Sequence, residues 1–147
     1  MKPDCVLCQS SPGEQIAAES KKWRIIHVDD FLYPGFFRVI WHSHVAEMTE
    51  LSLPDRQELM TVVFAVERAL RDVMHPDKVN LASLGNMVPH LHWHVIPRFR
   101  DDAHFPESVW GTKQREPAPI VLKKRRSQQP EVAEAISRIL AQQAKAL

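Results

Sequence analysis

Cysteine is scarce in this 147-residue chain: Cys5 and Cys8 are the only two, in a C-x-x-C pair. In a reducing compartment such a pair reads as half of a metal site or as a redox pair rather than as a structural disulfide. Charge of one sign is also missing. The net charge is +1 with neutral histidines, so bulk charge gives no reason to expect nucleic acid or an anionic membrane as partner. No apolar run is long enough to span a bilayer. The opening segment, MKPDCVLCQSSPGE, lacks the apolar core of a secretory signal, and the expected location is the cytoplasm. Internal repeats and low-complexity segments are absent as well. Hydrophobic residues at 44% and charged residues at 25% are an ordinary composition for one domain with one core.

Several elements can be read along the chain. Residues 23–28, WRIIHV, predict a strand, and Pro34 and Gly35 mark a turn. Residues 36–41, FFRVIW, are β-branched and aromatic and predict a second strand. Alternation places Phe36, Arg38 and Ile40 on one face and Phe37, Val39 and Trp41 on the other. A long helix follows, with Ser52 as cap, Pro54 in the first turn and Asp55 near the positive end of the dipole. Leu59, Val62, Val63, Val66, Leu70 and Val73 form its apolar stripe, and Pro76 stops it. Residues 79–84 and 90–96 predict two more strands, with Gly85 and Asn86 in a turn between them. This order predicts an α+β domain with a largely antiparallel sheet. After Arg100 the chain is loop-like, rich in proline, with a basic run KKRR at 123–126 expected to be a solvated surface patch. From Pro130, helical spacing of Val132, Ala135, Ile136, Ile139 and Leu140 predicts an amphipathic helix that docks on the domain or on a partner subunit.

The densest chemistry lies in HLHWHVIPRF, residues 90–99. His90, His92 and His94 alternate with Leu91, Trp93 and Val95. On a strand the histidines share one face and the apolar residues turn to the core. Same-face neighbours are about 6.6–7 Å apart, so the outer pair is about 13 Å apart, too far for three rings to meet one ion. Such a row suits the successive groups of an extended ligand. Neutral imidazole is a nucleophile near pH 7, and a backbone carbonyl can hold one ring N–H and leave the other nitrogen bare.

HLHWHVI resembles the signature of the histidine triad (HIT) family, H-φ-H-φ-H-φ-φ with φ apolar, at all seven positions. The segments YPGFFRVIWHSHVAEMTELS and HFPESVWG resemble a bacterial branch described as diadenosine tetraphosphate hydrolase-like. The resemblance covers roughly residues 5–112. It implies a HIT-like α+β fold: an antiparallel sheet of about five strands, one long central helix and a C-terminal helix, in a homodimer that joins two sheets. The expected division is a HIT domain with an N-terminal C-x-x-C segment over 1–112, then a basic linker and amphipathic helix over 113–147.

The resemblance also implies chemistry. Members bind nucleotides and act at the α-phosphorus as hydrolases or transferases on dinucleoside polyphosphates or nucleoside phosphoramidates, with no catalytic metal. Mapped here, His92 is the nucleophile that forms a nucleotidyl-histidine. Backbone near His90 fixes its tautomer, and His94 hydrogen-bonds the phosphate or the leaving oxygen. Asp29 and Asp30 are both candidates for ribose, and Asn86 for phosphate. Zinc-containing relatives use an N-terminal C-x-x-C, a histidine after the second strand and the first triad histidine, which here are Cys5, Cys8, His44 and His90; His44 rather than His42 takes the family's position. This implies a structural zinc. The rival redox reading expects a βαβ context that the chain does not offer. Two positions depart from the pattern: Phe36 stands where many members have histidine, and Met87 where many have serine or threonine. Both remove polar groups that assist the leaving group, and they motivate an alternative, a nucleotide-binding regulator with little turnover. A third reading makes the triad itself the ligands of a zinc-dependent hydrolase.

Overall fold

The computed structural model describes residues 1–146. Five strands form one antiparallel sheet: β1 (Gln15–Glu19), β2 (Trp23–His27), β3 (Phe37–Trp41), β4 (Lys78–Ala82) and β5 (His92–Arg98), in the order β1-β2-β3-β5-β4. Between β3 and β4 runs α1 (Leu53–Met74). Ser52 caps it, its Oγ accepting from the Asp55 N–H at 3.3 Å, and His75 ends it in the left-handed region. Among the described residues no helix is long and apolar enough to cross a membrane.

The sheet is two-sided because strand residues alternate. Ile25, Phe37, Val39, Trp41 and Val95 face α1, whose Leu59, Val62, Val63, Val66 and Leu70 complete the main core. The terminal helix α3 (Gln129–Ala146) packs beside α1 and adds Val132, Ala135 and Ile136. The other face carries Arg24, Ile26, Arg38, Ile40, His92 and His94. The N-terminal segment lies over one part of it, where Leu7 packs on Ile26 and Ile40. Over another part Tyr33 and Phe36 pack on Ile96.

Three expectations change. The strand expected over 90–96 begins at His92, so His90 precedes it. The strand β1 has no counterpart in the reading of the pattern: QIAAE is an edge strand, mostly exposed, and shows no clean alternation. Residues 119–127, expected within a basic linker, form a helix, α2 (Pro119–Ser127). Its basic run is not simply solvated. The Arg125 guanidinium lies 3.6 Å over the Phe99 ring and reaches Asp101 at 2.7 Å, and Arg126 donates to the Phe31 carbonyl at 3.1 Å. Only Leu122 of this helix is buried, so its sequence carries almost no apolar period.

Candidate functional site

The row of three histidines divides. His90 is fully buried and its Nε2–H donates to the Trp41 carbonyl at 2.5 Å. A carbonyl only accepts, so this contact leaves Nδ1 as a bare donor atom. That Nδ1 faces Cys5 Sγ at 3.4 Å, Cys8 Sγ at 3.5 Å and His44 Nδ1 at 3.2 Å. His44 Nδ1 in turn lies 3.2 Å from Cys8 Sγ. The ligand atoms of these four side chains all lie within 4.8 Å of one another and could hold a metal ion. His42 is turned elsewhere, its Nδ1–H donating to the Lys21 carbonyl at 3.2 Å.

His92 is held by its neighbour's backbone. Its Nδ1–H donates to the His90 carbonyl at 2.6 Å, which fixes the tautomer and leaves Nε2 with its lone pair. Burial pushes its pKa down; the carbonyl bond opposes this and the nearby Arg38 charge adds to it. The ring is therefore neutral at pH 7. The His94 ring is 4.9 Å from that of His92, centroid to centroid, nearer than strand spacing alone gives. It sits between Phe36, at 5.7 Å, and Trp110, at 5.1 Å, both edge-on. Burial, then the charges of His92 and Arg38, push its pKa down to about 4. Its Nδ1 is buried without a partner.

The remaining expected residues are more dispersed. Asp29 is exposed and lines a cleft of about 410 Å³ together with His27, Val28, Glu14 and Arg38. Asp30 is half-buried and its Oδ1 accepts from the Leu32 N–H at 2.9 Å, which ties it to the turn. Asn86 and Met87 are both exposed in the turn before the triad.

Two neighbours of the site escape a reading of the sequence. Arg38 is the cross-strand partner of His94; the available signal was a lone charge in an apolar strand, on the face opposite the core. Trp110 comes from the segment HFPESVWG, which has no period to place it. A buried ion pair braces that segment: Arg98 Nε lies 2.8 Å from Asp102 Oδ2, and Asp102 also accepts from the N–H groups of Phe99, His104 and Phe105.

A family model described as HIT domain matches residues 11–101. The chain belongs to the HIT family. Among curated relatives, it is 30% identical over 86 residues to an AP-4-A phosphorylase of Mycobacterium tuberculosis, a match covering 54% of this chain and 44% of that protein. It is 26% identical over 94 residues to a bis(5'-adenosyl)-triphosphatase of Saccharomyces cerevisiae, covering 59% and 45%. These matches therefore span less than half of either relative. Among solved structures, a histidine triad protein of Bradyrhizobium japonicum superposes with a TM-score of 0.66 at 28% identity, covering 85% of this chain and 89% of that one. The fold of this HIT protein is thus the family's.

Proposed function

We propose that this protein is a nucleotide hydrolase or nucleotidyl transferase acting at the α-phosphate of a dinucleoside polyphosphate or nucleoside phosphoramidate. One observation carries the reading: His92 Nδ1 is committed to the His90 carbonyl, so a neutral Nε2 is aimed from a rigid strand. In the first step the Nε2 lone pair bonds to phosphorus, and the bond from phosphorus to the bridging oxygen or nitrogen breaks. The leaving group departs with that electron pair. In the second step water, or another acceptor, attacks the same phosphorus, frees His92 and loses its proton to solvent. His94, kept neutral, offers a ring N–H to the phosphate or leaving oxygen as a hydrogen bond rather than as an acid. Asp29 supports the ribose role better than Asp30, whose carboxylate is already used in its turn.

Incubation with a dinucleoside polyphosphate or nucleoside phosphoramidate, followed by mass spectrometry, tests this. The expected adduct is a nucleotidyl group on His92, and His92→Ala should lose at least about 10³-fold in kcat/KM. An adduct on another residue, or full activity of His92→Ala, would overturn the assignment. Exposed Met87 and apolar Phe36 favour a second reading, a nucleotide-binding regulator; tight AMP binding in calorimetry without cleavage of either substrate class would select it.

Cys5, Cys8, His44 and His90 fit a structural zinc. Two thiolates and two imidazoles are its preferred donors, and bonds of about 2.0–2.3 Å imply tetrahedral edges of about 3.3–3.8 Å; four of the six ligand pairs lie at 3.2–3.5 Å and all six within 4.8 Å. The bond from His90 Nε2–H to Trp41 is the outer support such a ligand needs. With His90 committed there, the triad does not serve as one catalytic metal cage. Free thiols as ligands suit a reducing compartment, and we place the protein in the cytoplasm. Elemental analysis checks the zinc; Cys5→Ser with Cys8→Ser should lose the metal and lower Tm.

A further inference from the structure

Three arginines lie on the sheet face opposite α1, and two are fully employed. Arg24 pairs with Glu14 at 2.9 Å and donates to the carbonyls of Leu7 and Gln9. Arg98 pairs with Asp102 and donates to Asn80 Oδ1 and the Glu107 carbonyl. Arg38 differs. Among the described residues it forms no ion pair, and its Nε is buried without a partner. Glu14 acts on it only at a distance and is committed to Arg24. A guanidinium nitrogen taken from water with nothing to bond costs free energy, and in native structures such a group calls for an explanation.

Its position supplies one. Arg38 pairs across the sheet with His94 on one side and with Ile26 on the other. Cross-strand partners stand about 4.5–5.5 Å apart at Cβ, so its stem rises beside His94, and the residue also lines the cleft that holds Asp29. Arg38 thus adjoins the triad through its partner His94 and shares a cleft with Asp29, so a nucleotide whose phosphate lies at the triad and whose sugar lies toward Asp29 brings its phosphate oxygens toward the Arg38 side chain. Arginine's planar fork matches phosphate oxygens, and a fixed cation beside a phosphoryl group stabilises charge in the transition state.

We propose that Arg38 is a substrate-binding and catalytic residue of this site, donating through its guanidinium to non-bridging oxygens of the nucleotide phosphate beside His92 and His94. The proposal rests on the functional reading above. It is tested by calorimetry on the full chain with AMP and with adenosine, for the wild type, Arg38→Met and Arg38→Lys. Methionine keeps the stem and removes the fork. Arg38→Met should weaken AMP by roughly 10- to 100-fold while leaving adenosine binding unchanged, and Arg38→Lys should recover part of the loss. If AMP and adenosine weaken by the same factor, Arg38 serves the base or the fold, and the proposal fails. It also fails if Arg38→Met binds AMP as the wild type does. A wild type that binds no AMP instead overturns the functional reading itself. If Arg38→Met does not give the wild-type circular dichroism, Arg38→Gln carries the same comparison.

Discussion

His94 stands between two aromatic rings with one buried nitrogen unpaired, and its protonation is correspondingly disfavoured. The sign of the effect on stability follows from linkage. Its folded pKa of about 4 lies below the ordinary histidine value of 6.5, so between these values the unfolded chain binds more protons. Stability should be level above pH 6.5 and fall as pH drops toward 4. A series of melts at those pH values checks it, and His94→Gln should flatten the slope. At this scale much was legible. The triad and the C-x-x-C pair announce themselves because histidine and cysteine carry their chemistry in the residue type. The separate duties of His90 and His92 were less legible from the pattern alone, since an ideal strand treats them alike. Only the late start of β5 lets the His90 ring turn to the cysteines while its carbonyl holds His92. Arg38 and Trp110 stayed hidden because their meaning depends on which strand or loop lies beside them.

At the scale of elements, the turn before β3 depends on Gly35. Its φ is 85°, and an added Cβ would meet Met74 Sδ at 2.6 Å. Gly35→Ala should therefore destabilise by about 1–3 kcal/mol, read from denaturant unfolding. The loop after β5 depends on the buried pair of Arg98 and Asp102. Burial raises the Asp102 carboxyl, but Arg98 and three backbone N–H groups outweigh it and hold its pKa below the ordinary value of 3.8. Its contribution is present above the unfolded pKa and is lost as pH falls through the folded one. Asp102→Ala leaves a buried cation and should cost about 3–5 kcal/mol at pH 7, with Trp110 losing its fixed place on His94, visible as altered tryptophan fluorescence. The helix α1 was plain in the sequence because cap, proline and stripe agree. The helix α2 was not, because what settles it against the domain is the packing of Arg125 on Phe99 and its pairing with Asp101 rather than an apolar face.

At the scale of the whole molecule, α1 and α3 cover one face of a five-stranded sheet, and His92 and His94 lie on the other. Ile136 is fully buried between them and the sheet, so Ile136→Ala should cost about 2–5 kcal/mol in equilibrium unfolding. β4 ends the sheet with an unpaired side, an edge that a second copy could extend. We expect a homodimer by sedimentation, and a proline at whichever of Asn80 and Leu81 turns its N–H away from β5 should dissociate it if that edge is the junction. The two faces also answer to separate demands. Leu91 and Val95 belong to the main core; His92 and His94, on the same few residues of chain, lie on the opposite face and are the residues we propose for chemistry. Asp29, Arg38, Met87 and Trp110 all lie outside the main core. A combinatorial library confined to these four positions should stay foldable while its ligand preference drifts, which makes this sheet a scaffold whose triad-bearing surface can be rewritten without reopening the folding problem.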